Sequence, residues 1–114
     1  MKVKEIARLL DAEPLCGVDL YEMDIQSASA SDMMSDILAF VQNQPILMTG
    51  LMNVQVIRTA EMMDMKCVLF VRGKTPDETI IELAKDSGIC VLRTDYTMFE
   101  ASGILYKNGL GVKE

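Results

Sequence analysis

The 114 residues include no histidine and no tryptophan, and the three cysteines, Cys16, Cys67 and Cys90, show no Cys-x-x-Cys spacing. Without histidine, neither a Ser-His-Asp nor a Cys-His arrangement for nucleophilic catalysis can be assembled. Three scattered thiols do not make the four-ligand pattern of a zinc or iron–sulfur site. No cofactor and no metal are expected. Long apolar runs are also missing, and the N-terminal MKVKEIARLLDAEP alternates charged with apolar residues. That pattern fits neither a membrane-crossing helix nor a secretory leader, so a cytoplasmic location away from any membrane is expected. Positive charge is scarce as well: 11 Lys and Arg stand against 17 Asp and Glu, a formal charge of −6. Nucleic acid, which is held by clustered cations, is therefore not an expected partner.

What is present reads as globular. Half the residues are hydrophobic and a quarter charged, and 114 residues make one domain with enough core to fold without staples. Cys67 and Cys90 lie inside apolar runs and read as small buried hydrophobes. Ten methionines suit an adaptable core in a reducing cytosol. The acidic excess is uneven: residues 1–44 hold three basic and eight acidic side chains, residues 45–114 eight and nine. A local cationic pocket is thus compatible with the second part.

That second part has a clear rhythm. Pro45-Ile46-Leu47-Met48-Thr49-Gly50, Cys67-Val68-Leu69-Phe70-Val71 and Ile89-Cys90-Val91-Leu92 are short apolar strands. Between and after them come helical spacings over 53–64, 76–86 and 98–106, with Gly88 placed to end the second. Continuous apolar strands alternating with amphipathic helices predict a mainly parallel sheet covered on both faces, a three-layer α/β/α domain. The first part, 1–44, is less regular. Val3, Ile6, Ala7 and Leu10 make a helical stripe, 20–25 alternates like a half-exposed strand, 27–31 (SASAS) reads as a small-residue loop, and a short helix runs to about Val41. The final GLGVKE reads as frayed.

Candidate chemistry gathers where strands end, the place ligands occupy in open parallel sheets. The three turns are Thr49-Gly50-Leu51-Met52-Asn53, Arg72-Gly73-Lys74-Thr75 and Arg93-Thr94-Asp95-Tyr96-Thr97. Each leads into a helix N-terminus, whose free N–H groups favour anions. Arg72, Lys74 and Arg93 would give this edge an anion-attracting rim, with Thr49, Gly50, Asn53, Gly73 and Thr94 supplying hydroxyl, amide or backbone contacts. Gly73-Lys74-Thr75 matches the end of a phosphate-binding P-loop, but the loop's first glycine would fall on Val68, inside a strand. Thr75-Pro76-Asp77-Glu78 instead reads as a helix start capped by Thr75, and Thr97-Met98-Phe99-Glu100 as a second capping box. Asp32 and Asp36, one helical turn apart, have the spacing to bind Mg²⁺ but read more simply as a solvated helix start. Ser27, Ser29, Ser31 and Ser35 either line a pocket, accept phosphate, or merely suit a loop.

The order PILMTG, then NVQVIRTAEMMDMKCVLFVRGKTPDETIIELAKDSGICVLRTDYTMFEASGILYKNGL, resembles the DRTGG domain family. Pro76, Gly88-Ile89-Cys90-Val91, Thr94 and Tyr96-Thr97-Met98-Phe99 carry the likeness, which covers about 45–110 firmly and the N-terminal VKEIARLL helix loosely. Thr49–Asn53 stands where the family often has Gly-Asp-Arg, and Arg72-Gly73-Lys74 where it has Thr-Gly-Gly. The resemblance implies a fold similar to the N-terminal domain of HPr kinase/phosphorylase and a regulatory, non-enzymatic role. Related domains accompany CBS domains, phosphate acetyltransferases and inorganic pyrophosphatases, and small stand-alone versions occur beside iron-hydrogenase and NADH-dependent electron-transfer genes. Two functions follow as expectations. One is a homodimeric module sensing a small anion or nucleotide. The other is a protein–protein adaptor for a hydrogenase or other redox enzyme, docking through exposed methionines and the acidic first part.

Overall fold

The computed structural model describes residues 1–41 and 43–112. Strands β1 (Glu13–Cys16), β2 (Ala28–Ala30), β3 (Ile46–Thr49), β4 (Cys67–Phe70) and β5 (Cys90–Arg93) form one sheet in the order β1-β5-β4-β3-β2. β2 through β5 run parallel, and β1 lies antiparallel along β5. Helices α1 (Val3–Leu9), α2 (Met34–Phe40), α3 (Val54–Met62), α4 (Glu78–Asp86) and α5 (Met98–Lys107) cover it. α1 and α5 pack on Ile46, Met48, Cys67, Leu69, Cys90 and Leu92. α2, α3 and α4 pack on the alternate residues Leu47, Val68, Phe70 and Val91. Because both faces are covered, both sets of side chains must be apolar, which is why these strands read as unbroken apolar runs. The expected three-layer, mainly parallel architecture is the one observed.

Cys67 and Cys90 are register partners at the centre of the sheet, both with no exposed surface. Helix ends are fixed by local chemistry. Gly88 takes φ +69° just beyond α4, where the Ile89 N–H reaches the Ala84 carbonyl (2.9 Å) and the Gly88 N–H that of Lys85 (3.2 Å). Thr97 and Glu100 form the expected reciprocal capping box on α5.

Four local expectations are corrected. α4 starts at Glu78 and is capped by Asp77, whose carboxylate accepts the Ile80 N–H at 3.0 Å, not by Thr75. A carboxylate at the cap also meets the positive end of the helix dipole, which a threonine hydroxyl cannot match. Residues 20–25 form no strand: a 3₁₀ turn spans Val18–Leu20, and the Tyr21 and Met23 carbonyls accept the N–H groups of Lys4 and Val3. Those carbonyls serve α1's otherwise orphan donors, and the only β pairing in the stretch among the described residues is the isolated antiparallel bridge of Asp24 with Lys2. The SASAS stretch contains β2, an edge strand, rather than only a loop. At the C-terminus Leu110 is 6% exposed and its N–H bonds the Leu105 carbonyl, so the tail is packed that far; Lys113 and Glu114 lie outside the described residues.

Candidate functional site

β3, β4 and β5 end on the same edge of the sheet, and their turns are bonded to one another. The Lys74 ammonium donates to the Gly50 carbonyl (3.0 Å), the Gly73 N–H to the Thr94 carbonyl (2.8 Å), and the Arg93 guanidinium to the Gly73 carbonyl (2.8 Å). Thr49, Gly50, Arg72, Gly73, Lys74, Arg93 and Thr94 therefore meet on one rim. Asn53 follows in the same turn as Gly50, with its side-chain oxygen committed to capping α3 through the Gln55 N–H at 2.8 Å.

The turn after β4 is conformationally costly. Arg72 and Gly73 both adopt left-handed backbone, φ +66° and +69°, which glycine tolerates but which costs a residue with a side chain roughly 1 kcal/mol. The Arg72 N–H, bonded to the Tyr96 carbonyl at 2.7 Å, helps to hold it there. The Arg72 guanidinium then lies over Gly50, where any side chain would collide with it.

Two rim hydroxyls are already used internally. Thr94 is buried and donates to the Leu10 carbonyl at 2.7 Å, tying β5 to α1. Thr49, fully buried, donates to Asp32 and accepts the Leu51 N–H, each at 3.1 Å. Arg93 is mostly covered and paired with Asp95 (3.1 Å) and Glu13 (3.4 Å). The cations facing solvent are Arg72 and Lys74. Arg93 thus holds two turns together rather than reaching outward.

Asp32 is the residue that the expected rim left out. Sitting just beyond β2, it accepts the Gly50 N–H at 2.7 Å and the Thr49 hydroxyl, and its second oxygen lies 3.8 Å from the Arg72 guanidinium. The Gly50 N–H above all, with Thr49 and then Arg72 and Lys74 assisting, holds its carboxyl below the usual range. It lies outside α2, which Asp36 enters, so the two do not form the one-turn pair their spacing suggests. Among the described residues no group of three or more His, Cys, Asp or Glu side chains is placed to hold a metal. The signal for Asp32 was the β2–β3 pairing, which a strand of alanine and serine conceals. Asp32, Asp95 and Glu13 offset the rim's three cations, and the neighbouring cleft of about 250 Å³ is lined by Asp11, Asp95 and Glu100 beside Leu10, Thr94 and Tyr96. The rim cations left facing solvent are those at the Gly50–Arg72–Lys74 end, where the Asp32 carboxylate also lies.

No curated protein sequence matches the chain. Among solved structures, the CBS and DRTGG domains of the regulatory region of Clostridium perfringens pyrophosphatase, crystallised with the activator diadenosine tetraphosphate, align with a TM-score of 0.70 at 21% identity. The alignment takes in 91% of this chain and 45% of that one, so this chain spans under half its length. A likeness at that identity speaks to the fold. The family model for the DRTGG domain matches residues 5–107, from the first helix to the end of the last. The chain belongs to the DRTGG domain family.

Proposed function

We propose that this protein is a non-enzymatic regulatory module, a single cytoplasmic domain over 1–114, that senses a small anionic ligand and works as a homodimer. A nucleotide is the favoured class of ligand. The carrying observation is the strained Arg72 turn, which sets a guanidinium over Gly50 with the Lys74 ammonium beside it. Backbone strain of this kind concentrates at ligand clamps. Arg72 and Lys74 would meet the ligand's phosphates, and the Thr49, Gly50 and Asn53 turn would lie alongside. Gly73, Arg93 and Thr94 would hold the turns in register. The nucleotide bound by the clostridial regulatory region supports the ligand class. Phosphoryl transfer lacks support, because the residues before Gly73 form a strand and not an amide-lined loop.

The test is a thermal-shift series with AMP, ADP, ATP and diadenosine tetraphosphate at millimolar concentration. Ligand at about 100 times Kd adds about 2.7 kcal/mol, or several degrees in Tm for a domain of this size. The shift should vanish in Arg72→Ala and Lys74→Ala while their unliganded Tm stays within about 2 °C of the wild type. No shift with any nucleotide overturns the ligand-sensing reading.

A second reading, an adaptor for a hydrogenase or other redox complex, draws on the exposure of Met33 (60%) and Met62 (72%) on the α2 and α3 side. Recovery of a stoichiometric redox subunit with the tagged chain from an anaerobic lysate would favour it.

A further inference from the structure

The two edges of the sheet are built differently. β1 carries Glu13 and Pro14, and its register with β5 slips between Pro14 and Cys16. Charge, proline and a bulge are standard protections against pairing with another strand. β2 has none of them. The run Ser27-Ala28-Ser29-Ala30-Ser31 is uncharged, small and regular. On its inner side the Ser27 carbonyl and the Ser31 N–H bond to Ile46 and Met48 of β3, both at 3.0 Å. By alternation, the N–H and C=O groups of Ala28 and Ala30 point outward, and among the described residues no strand lies beyond them. Clefts flank the strand on both faces: about 260 Å³ beside Tyr106 and Leu110, and about 270 Å³ beside Phe40, Val41 and Pro45. Phe40 is 78% and Tyr106 65% exposed at their margins.

We propose that a second copy of this chain occupies the β2 edge, pairing antiparallel so that the sheet continues across a two-fold axis through Ser29. The inference rests on the homodimeric part of the function proposed above and names its surface. Two observations favour a second copy. Antiparallel pairing about Ser29 sets Ala28 opposite the partner's Ala30 and Ser29 opposite the partner's Ser29, so the same small, uncharged patch serves both molecules, as in any isologous contact. The outward groups also fall in phase, because Ala28 and Ala30 become hydrogen-bonded pairs and Ser29 the close, non-hydrogen-bonded pair at the axis. Finally, on a chain of charge −6 this edge is where two copies approach without like charges meeting; Asp32 falls opposite the partner's Gln26. Aromatic side chains bury roughly 150–250 Å² each, so Phe40 and Tyr106 from both copies, with the paired strands, bring the interface near ~1,000 Å², the lower bound for a specific contact.

The test is sedimentation equilibrium of the full chain with two kinds of variant. Ser29→Lys sets two ammonium groups face to face at the axis, and Ala30→Pro removes an outward N–H while leaving the bonds to β3. Both should turn a dimer into a monomer with unchanged circular dichroism. In Ser29→Cys, the two axial thiols should give up two electrons and two protons to oxidised glutathione and form an intermolecular disulfide. Ser27→Cys, displaced from the axis, should not. A wild type that is monomeric at about 100 μM overturns the inference. So does a dimer that survives Ser29→Lys or Ala30→Pro with the fold intact, which would leave dimerisation standing on another surface. Equal cross-linking by Ser27→Cys and Ser29→Cys, or none by Ser29→Cys, overturns the two-fold register. Nucleotide binding by the monomeric variants reports on the ligand-sensing reading separately.

Discussion

Asp32 shows how a single carboxylate can tie the turn after β3 to the Arg72 turn of the rim. It draws the Gly50 N–H and the Thr49 hydroxyl onto one oxygen and faces Arg72 with the other. Its folded-state pKa lies below the ordinary value. The clasp therefore adds stability above the unfolded carboxyl's pKa, near 4, and loses it as pH falls through the folded value. Asp32→Asn should lower the free energy of unfolding by about 1 kcal/mol at pH 7, a charged hydrogen bond discounted for a half-exposed side chain. Urea titrations of both proteins should show that gap narrowing as pH falls below the unfolded carboxyl's pKa. A gap that stays constant through the acid range would mean that the charge of Asp32 contributes nothing to the clasp. If Arg72 and Lys74 take the ligand phosphates as proposed, Asp32 competes for that place, and the variant should bind nucleotide more tightly than the wild type.

Among the elements, the helix starts separate what a side chain can do from what a motif suggests. Asp77→Ala should cost about 1 kcal/mol, whereas Thr75→Ala should stay within about 0.5 kcal/mol, measured by denaturant unfolding. Thr97→Ala, which breaks a complete capping box, should match the Asp77 variant. The three central strands were legible because burial on both faces leaves an unbroken apolar signature over 46–49, 67–70 and 90–93. The two edge strands were not. Glu13-Pro14-Leu15-Cys16 has a proline that speaks against a strand, and Ala28-Ser29-Ala30 has no β-branched residue to speak for one. Each is held by the ladder its inner neighbour offers. The turns of the rim were legible for the same reason as the central strands, since Gly50, Arg72 and Arg93 fall where apolar runs stop. Asp32 was hidden because its placement depends on β2. The alternation over 20–25 reflects genuine burial of Ile25 against exposed Glu22 and Asp24, but its carbonyls cap α1 instead of extending the sheet.

At the scale of the whole molecule, the three thiols report on global opening. Cys16, Cys67 and Cys90 are all buried; burial pushes the Cys16 thiol up, and the neighbouring Cys90 thiol, with burial, holds Cys67 well above its ordinary range. A thiol-reactive disulfide reagent should label no cysteine in the native protein at pH 7 and all three in urea. Labelling of Cys67 and Cys90 should follow the rate of complete unfolding, because strands β4 and β5 have no solvent-facing side. Fast native labelling of either would show that the sheet opens locally. The irregular β1 margin has a consequence of its own for assembly. Were both margins receptive, molecules would stack head to tail into an endless ribbon; Pro14 and the slipped register leave no template at that end. If β2 pairs with its own copy as proposed, growth proceeds from that side only and finishes as soon as two molecules have met.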